Sequence, residues 1–273
     1  MFGGRRAILI STASTVVFFV VLGLGLYLSP GWDAVRESFF DWHAMKESFL
    51  GTDISPSIWS AFLLNVKMFL IAEPLILLLA LVIAIVRQIP GPVFFPFRLV
   101  AVIYTDFFRG VPLILVVILL GFGLPGLRMT GVSNYSPVVY GVAALVLSYS
   151  AYVAEVYRAG IESVHPSQVA AARSLGLTRL QALRHVVVPQ AVRRVIPPLL
   201  NDFISLQKDT ALVGLLGVIE ALKAAQIYSF QVFDYSSLIV AALLFILITI
   251  PLARFTDRLI ARGQLRRGGT VAR

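Results

Sequence analysis

The residues of this chain best suited to do chemistry are ionisable side chains set inside long apolar runs. Lys67 and Glu73 share one run, with Pro74 beside the acid; Asp106 and Arg109 lie in a second, Glu155 and Arg158 in a third, and Lys208, Asp209 and Thr210 in a fourth. An ionised group in lipid costs several kcal/mol unless it is paired or faces water, so each marks an ion pair or a polar path. Asp106 and Arg109, like Glu155 and Arg158, are three residues apart, which makes them neighbours on a helix surface, and each pair is expected to close on itself. Lys208 and Asp209 are adjacent and point apart, so at least one needs a partner from another helix. Lys67 is open between snorkelling outward and meeting an anionic group. Other chemistries lack their residues. There is no Cys, His43, His165 and His185 show no H-x-x-x-H spacing, and neither a G-x-x-x-x-G-K-[ST] nor a G-x-S-x-G pattern occurs.

The elements that position these groups follow from composition. With 58% hydrophobic and 14% charged residues in 273 and a mean hydropathy of +0.88, most of the chain must be solvated by lipid or by other apolar helices. Roughly 20 apolar residues cross a bilayer core as a helix. Six segments meet that length: Ala7 to Leu28, Ser57 to Val86, Leu99 to Leu124, Val138 to Tyr157, Pro198 to Gly217 and Ser237 to Leu252. The first is too long for a signal-peptide core and lacks a small-x-small cleavage site, so it reads as an uncleaved helix. Between the first two spans, residues 29–56 interleave Trp32, Phe39, Phe40, Trp42 and Phe49 with seven charges, a pattern for a helix lying at the membrane interface, with a solvated loop as the alternative.

Orientation follows from the short loops. Sixteen of the 23 basic residues fall in the two ends and the loops on one side, while Arg36, Lys46, Arg128 and Lys223 lie opposite. That asymmetry puts both termini in the cytoplasm, and it accounts for the formal charge of +9 without a nucleic-acid partner.

The longest cytoplasmic piece runs from Arg158 to Arg194, with six arginines against Glu162. Val169, Ala172 and Leu175 recur at helical spacing, Gly176 stands where a left-handed residue closes a helix, and Thr178 is placed to cap a second helix carrying Leu180, Leu183 and Val187 and ending at Pro189. Two short helices joined at a glycine make a knuckle able to sit in a groove on another protein. An amphipathic segment resting on anionic lipid has the same periodicity.

This segment resembles the EAA loop of ABC importer permeases, in which Glu-Ala-Ala precedes a glycine and, after a spacer, an aliphatic-x-aliphatic-Pro ending. Here the matching letters are Ala170, Ala171 and Ala172, then Gly176, nine residues, and Val186-Val187-Val188-Pro189. Ala170 stands in place of the family glutamate. The string QVAAARSLGLTRLQALRHVVVPQA is similar to the polar amino acid branch of the family. TDFFRGVPLILVVILLGFGLP at 105–125, YVAEVYRAGIESV at 152–164 and NDFISLQKDTALVGLLGVIEAL at 201–222 extend the likeness over residues 55–258. The first helix and the aromatic segment resemble an elaboration of actinobacterial glutamate permeases.

The resemblance implies an all-α polytopic membrane protein of about six transmembrane helices, five of them a MetI-like ABC importer core, in the cell membrane. It divides the chain into an added helix and outer segment (1–54), a permease domain (55–258) with its coupling loop at about 158–194, and a basic tail (259–273). It implies transport of polar amino acids, glutamate or another acidic one foremost, by alternating access. Expected partners are a second, paralogous permease subunit, two ATPase subunits that hold ATP and Mg and do the hydrolysis, and an extracellular substrate-binding protein. Coupling to the ATPase falls to Gln168, Ala170, Ala171, Ala172, Arg173, Ser174, Leu175, Gly176 and Leu177. An amino acid carries both charges, so the substrate pathway draws on Asn65, Lys67, Arg109, Glu155, Lys208, Asp209 and Thr210. The rival reading is an ion-gradient-driven secondary transporter.

Overall fold

The computed structural model describes residues 5–268, and these are helices and turns throughout. Helix α1 (Arg5–Tyr27) buries none of its apolar side chains from Ile8 onward against the rest of the chain. Two short helices follow, α2 (Trp32–Phe39) and α3 (Trp42–Leu50), so the aromatic segment is helical as its amphipathic pattern predicts. Helix α4 (Ile58–Gln88) runs through Pro74 and is the longest apolar span. Its buried positions Ala61, Asn65, Met68, Ala72, Ile76, Ala80 and Ile83 recur every three or four residues, one face of a helix.

The third expected span is two helices set at a sharp angle. Helix α5 (Phe95–Gly110) and the pieces α6 (Leu113–Ile118) and α7 (Leu124–Gly126), joined by a π-turn at Leu119–Gly123, meet at 105°. Val111 is extended between Gly110 and Pro112, and proline disfavours helix in the residue before it, which is why the chain turns there. Helix α8 (Pro137–Glu162) is the most buried span. Gly160 lets α11 approach it, since a Cβ there would lie 2.1 Å from Val195.

After α9 (Pro166–Ser174) and α10 (Arg179–Ala182), a π-turn at Leu183–Val187 leads directly into α11 (Val188–Asp209). Two expectations change here. Pro189 follows the π-turn within an unbroken run of helical residues and does not end the helix. The span begins at Val188 and passes through Pro197 and Pro198. A 3₁₀ stretch (Thr210–Leu216), left-handed Gly217 and α12 (Ala221–Val232) complete a second bent unit, at 53°. Lys223, read from sequence as a loop residue, is therefore helical. Helix α13 (Ser236–Gly268) likewise continues past Pro251 and Leu252, taking much of the expected tail into the helix; residues 269–273 of that tail lie outside the described residues, as do 1–4.

Among the described residues, four helices are long and apolar enough to cross a membrane, and six spans result if each bent pair counts as one. The main core packs α4 against α8 and α11 through Met68, Phe69, Ile76, Leu145, Val153 and Leu206. A second cluster joins the start of α4 to α12 and α13 through Ile58, Phe62, Ala221, Ala225 and Leu244.

Candidate functional site

Asn65 and Thr210, two of the expected pathway residues, meet inside the bundle around a third residue that sequence reasoning missed. Glu220 is 1% exposed and stands at the N-cap of α12, its carboxylate accepting the backbone N–H groups of Leu222 (2.9 Å) and Lys223 (2.7 Å). Asn65 Oδ1 accepts the N–H of Ala221 at 3.0 Å, and its Nδ2 donates to Glu220 Oε2 (3.2 Å) and Thr210 Oγ1 (3.1 Å). Thr210 Oγ1 donates in turn to the carbonyl of Gln207 at 2.7 Å. The open N–H groups at the start of α12 are thus all paired, and the carboxylate sits at the positive end of a helix. Gly214 makes room for it: a Cβ there would lie 2.4 Å from Glu220 Oε1. The network fixes the bend between α11 and α12 to the first third of α4.

The second polar cluster lies towards the C-terminal end of α8. Glu155 pairs with Arg158 one turn on, as its spacing predicts, and also accepts Arg87 Nη1 at 2.8 Å. Arg87 reaches Thr105 Oγ1 of α5 at 3.3 Å, and Arg158 also pairs with Glu162. Glu155 and Arg87 together therefore tie the end of α4 to α5 and α8. Arg87 lies just past the apolar run expected to end at Val86; α4 extends to Gln88 and packs it against Glu155.

Asp209 finds the partner on another helix that its position requires, Tyr149 of α8, whose hydroxyl donates at 2.7 Å. Asp202 lies two turns earlier on α11, and its Oδ2 is buried without a hydrogen-bond partner. Glu73 of α4 is half-buried. Lys67, Arg109 and Lys208 are exposed on the chain's surface, outside these clusters. The expected Asp106–Arg109 ion pair does not form: both side chains are exposed, and the backbone carbonyl of Arg109 accepts Tyr152 Oη at 3.2 Å instead. The break at Gly110 follows directly, so the two residues lie in the last turns of α5.

The segment expected from sequence to couple, about 158–194, contains two capped helices. His165 caps α9, accepting the N–H of Ser167. At the other end Gly176 is left-handed (φ +88°), its N–H reaches the carbonyl of Arg173 (3.0 Å), and that of Leu177 reaches Ala172 (3.3 Å). This is a Schellman closure, and only glycine adopts its φ without strain. Thr178 and Gln181 then form a reciprocal capping box at 2.8 and 3.3 Å. Ala172 and Ala182 are buried, whereas Ala170, Ala171, Arg173 and Ser174 are exposed, Leu175 is 81% exposed and Leu180 73%. The apolar stripe is therefore split: its alanines and Val187 seat the knuckle, and its leucines point away from it. Gln190 braces the loop by donating to Gln168 at 2.6 Å, and Arg194 bonds the carbonyl of Ser163.

Residues 92–263 match the family of binding-protein-dependent transport system inner membrane components. The chain is 39% identical over 166 residues to a probable glutamine ABC transporter permease protein of Bacillus subtilis (strain 168), spanning 59% of this chain and 73% of that protein. It is 34% identical over 204 residues to a probable amino-acid ABC transporter permease protein of Vibrio harveyi, spanning 72% and 83%. Among solved structures, a crystal structure of an amino acid ABC transporter with histidines superposes with a TM-score of 0.68 at 32% identity, over 75% of this chain and 93% of that one. The inward-facing MetNI methionine ABC transporter shares the fold, with a TM-score of 0.59 at 15% identity over 76% and 95%. With the match extending from the turn before α5 into α13, the chain belongs to the inner membrane components of binding-protein-dependent transport systems.

Proposed function

We propose that this chain is the permease subunit of an ATP-driven importer of polar amino acids, with glutamate as the foremost candidate substrate. The observation that carries the reading is the knuckle at residues 166–182: two short helices, capped at their starts and closed at Gly176, presenting Leu175 and Leu180 to whatever lies beyond the bundle. An exposed, locally rigid pair of helices suits a rigid-body partner, because it transmits displacement and does not absorb it. That partner is an ATPase subunit pair, which holds ATP and Mg and performs the hydrolysis. Gln168, Ala170, Ala171, Arg173, Ser174, Leu175 and Leu177 face it, while Ala172 and Gly176 hold the knuckle's shape. A paralogous permease subunit completes the pathway, and an extracellular binding protein delivers substrate. Both termini and the knuckle lie in the cytoplasm; residues 29–56 lie outside.

The amino acid class is supported by the relatives and by the amino acid transporter of the same fold. Within the bundle, Asn65 and Thr210 fix the α11–α12 bend, Asp209 and Glu155 put carboxylates on the helices around it, and Lys67, Arg109 and Lys208 offer cations on the chain's exposed surface. Uptake by the reconstituted four-part complex, with glutamate, glutamine, arginine and histidine as competitors, tests substrate: strongest competition by glutamate is expected, and by arginine or histidine overturns the acidic assignment. Deleting Gln168 to Leu175 while membrane insertion persists is expected to abolish ATP-driven uptake. Normal uptake by that variant, or uptake by this chain alone on an ion gradient, overturns the importer reading.

A further inference from the structure

We infer that α2, α3 and the turn joining α12 to α13 form an acidic, aromatic surface on which the system's substrate-binding protein docks through a basic face of its own that has apolar sockets. The inference rests on the importer reading above and on the orientation that goes with it.

The segment is a cap fixed to the bundle. Tyr235 N–H donates to the carbonyl of Ser38 at 2.7 Å, Asp41 N–H donates to Ser236 Oγ at 2.9 Å, and the Phe39 and Tyr235 rings stack with centroids 5.2 Å apart. Farther along, Ser57 Oγ donates to the carbonyl of Phe49 (2.8 Å) and Tyr228 Oη donates to Glu47 (3.1 Å), while Ala44 and Ser48 are buried. Two short stretches, Phe39 to Trp42 and Phe233 to Tyr235, are thereby held side by side.

Their outward side chains are aromatic. Trp42 is 76% and Phe233 85% exposed, with Phe40 and Tyr235 also open. Phe233 takes φ +56°, where a bulky side chain is strained, yet the fold gives its ring no burial in return. Exposed aromatic rings on a rigid frame are the usual anchors of a protein interface.

Charge decides between a protein and a lipid surface as what covers this patch. Residues 29–56 carry Asp33, Glu37, Asp41, Glu47 and Asp53 against Arg36 and Lys46, the reverse of the chain's formal +9. Helices that lie on membranes place Lys and Arg on their polar face to meet anionic headgroups. An acidic surround is repelled by such a surface and attracts a basic protein face, which it steers into register. A transport system of this family depends on a binding protein, and that protein must approach from the side on which the cap lies.

The complex in nanodiscs of phosphatidylcholine, titrated with the purified substrate-binding protein and read by ATPase stimulation, tests this. The double variant Asp33→Lys/Glu37→Lys is expected to raise the half-saturating concentration about tenfold or more and to flatten its salt dependence. Trp42→Ala is expected to raise it with the salt dependence retained, and thermal unfolding of each complex checks that the cap is intact. Unchanged half-saturation in both variants, beside a responsive wild type, overturns this inference alone. A wild type that needs no binding protein overturns the importer reading and this inference together. A variant effect that emerges only when anionic lipid replaces phosphatidylcholine assigns the cap to the membrane and also overturns it.

Discussion

Helices α10 and α12 both begin at capped N-termini, and the caps come from very different distances along the chain. The first N–H groups of α10 are served by Thr178 and Gln181, three residues apart. Those of α12 are served by Glu220 and by Asn65, which is 156 residues away from Ala221. A locally capped helix keeps its shape when its surroundings move, so the knuckle can travel as a unit. A helix capped from another span is fixed in place, so the α11–α12 bend is part of the frame against which anything else moves.

Breaking the long-range cap is expected to have the largest effect on stability. Glu220→Ala removes the acceptor of three N–H donors in a dry interior, leaving Leu222 and Lys223 N–H unpaired and half of Asn65's donors idle; about 3 kcal/mol is lost by the scale of buried polar networks. Thermal unfolding of the purified complex measures it. Glu220→Gln keeps an acceptor oxygen and should fall between wild type and alanine. Equal melting of alanine variant and wild type would show that Asn65 alone fixes the bend. Arg87→Met comes next. It takes one of two cations from a partly buried carboxylate but leaves Arg158 in place, so about 1.5 kcal/mol is expected from loss of a charged hydrogen bond.

The same contrast in range explains what could be read from the sequence. The start and closure of the knuckle were legible, because Gly176, Thr178 and the Ala172 face are local signals of helix closure, capping and burial; its apolar stripe was not, since Leu175 and Leu180 face outward. Spans were legible as apolar runs, and so was the pairing of Glu155 with Arg158. Glu220 was not: an acid between Ile219 and Ala221 has no meaning until α4 brings Asn65 to it. Arg87 was misplaced because apolar length alone put the end of α4 too early, and Asp106–Arg109 failed because helical spacing implies a pair only where the fold denies each residue water or another partner. Residue Pro189 was read as a stop from its missing N–H, but the chain stays helical across it, directly after the π-turn.

Variants in the knuckle should invert the pattern of the bend, with small effects on stability and larger ones on coupling. Gly176→Ala forces a Cβ into a left-handed residue, about 1 to 2 kcal/mol against the local fold. Thr178→Ala loses half of a capping box, typically about 1 kcal/mol. Helix α10 has four residues, so that loss is spent on local fraying, and global melting should hardly change. Leu175→Asp should be nearly silent in melting because the side chain is already open to solvent, within about 0.5 kcal/mol. If the exposed leucine is an ATPase contact, ATP hydrolysed per amino acid imported rises sharply in Leu175→Asp and modestly in Thr178→Ala. A Leu175→Asp complex that melts and couples like wild type would leave the capped knuckle as a structural turn and remove its exposed edge from the coupling path.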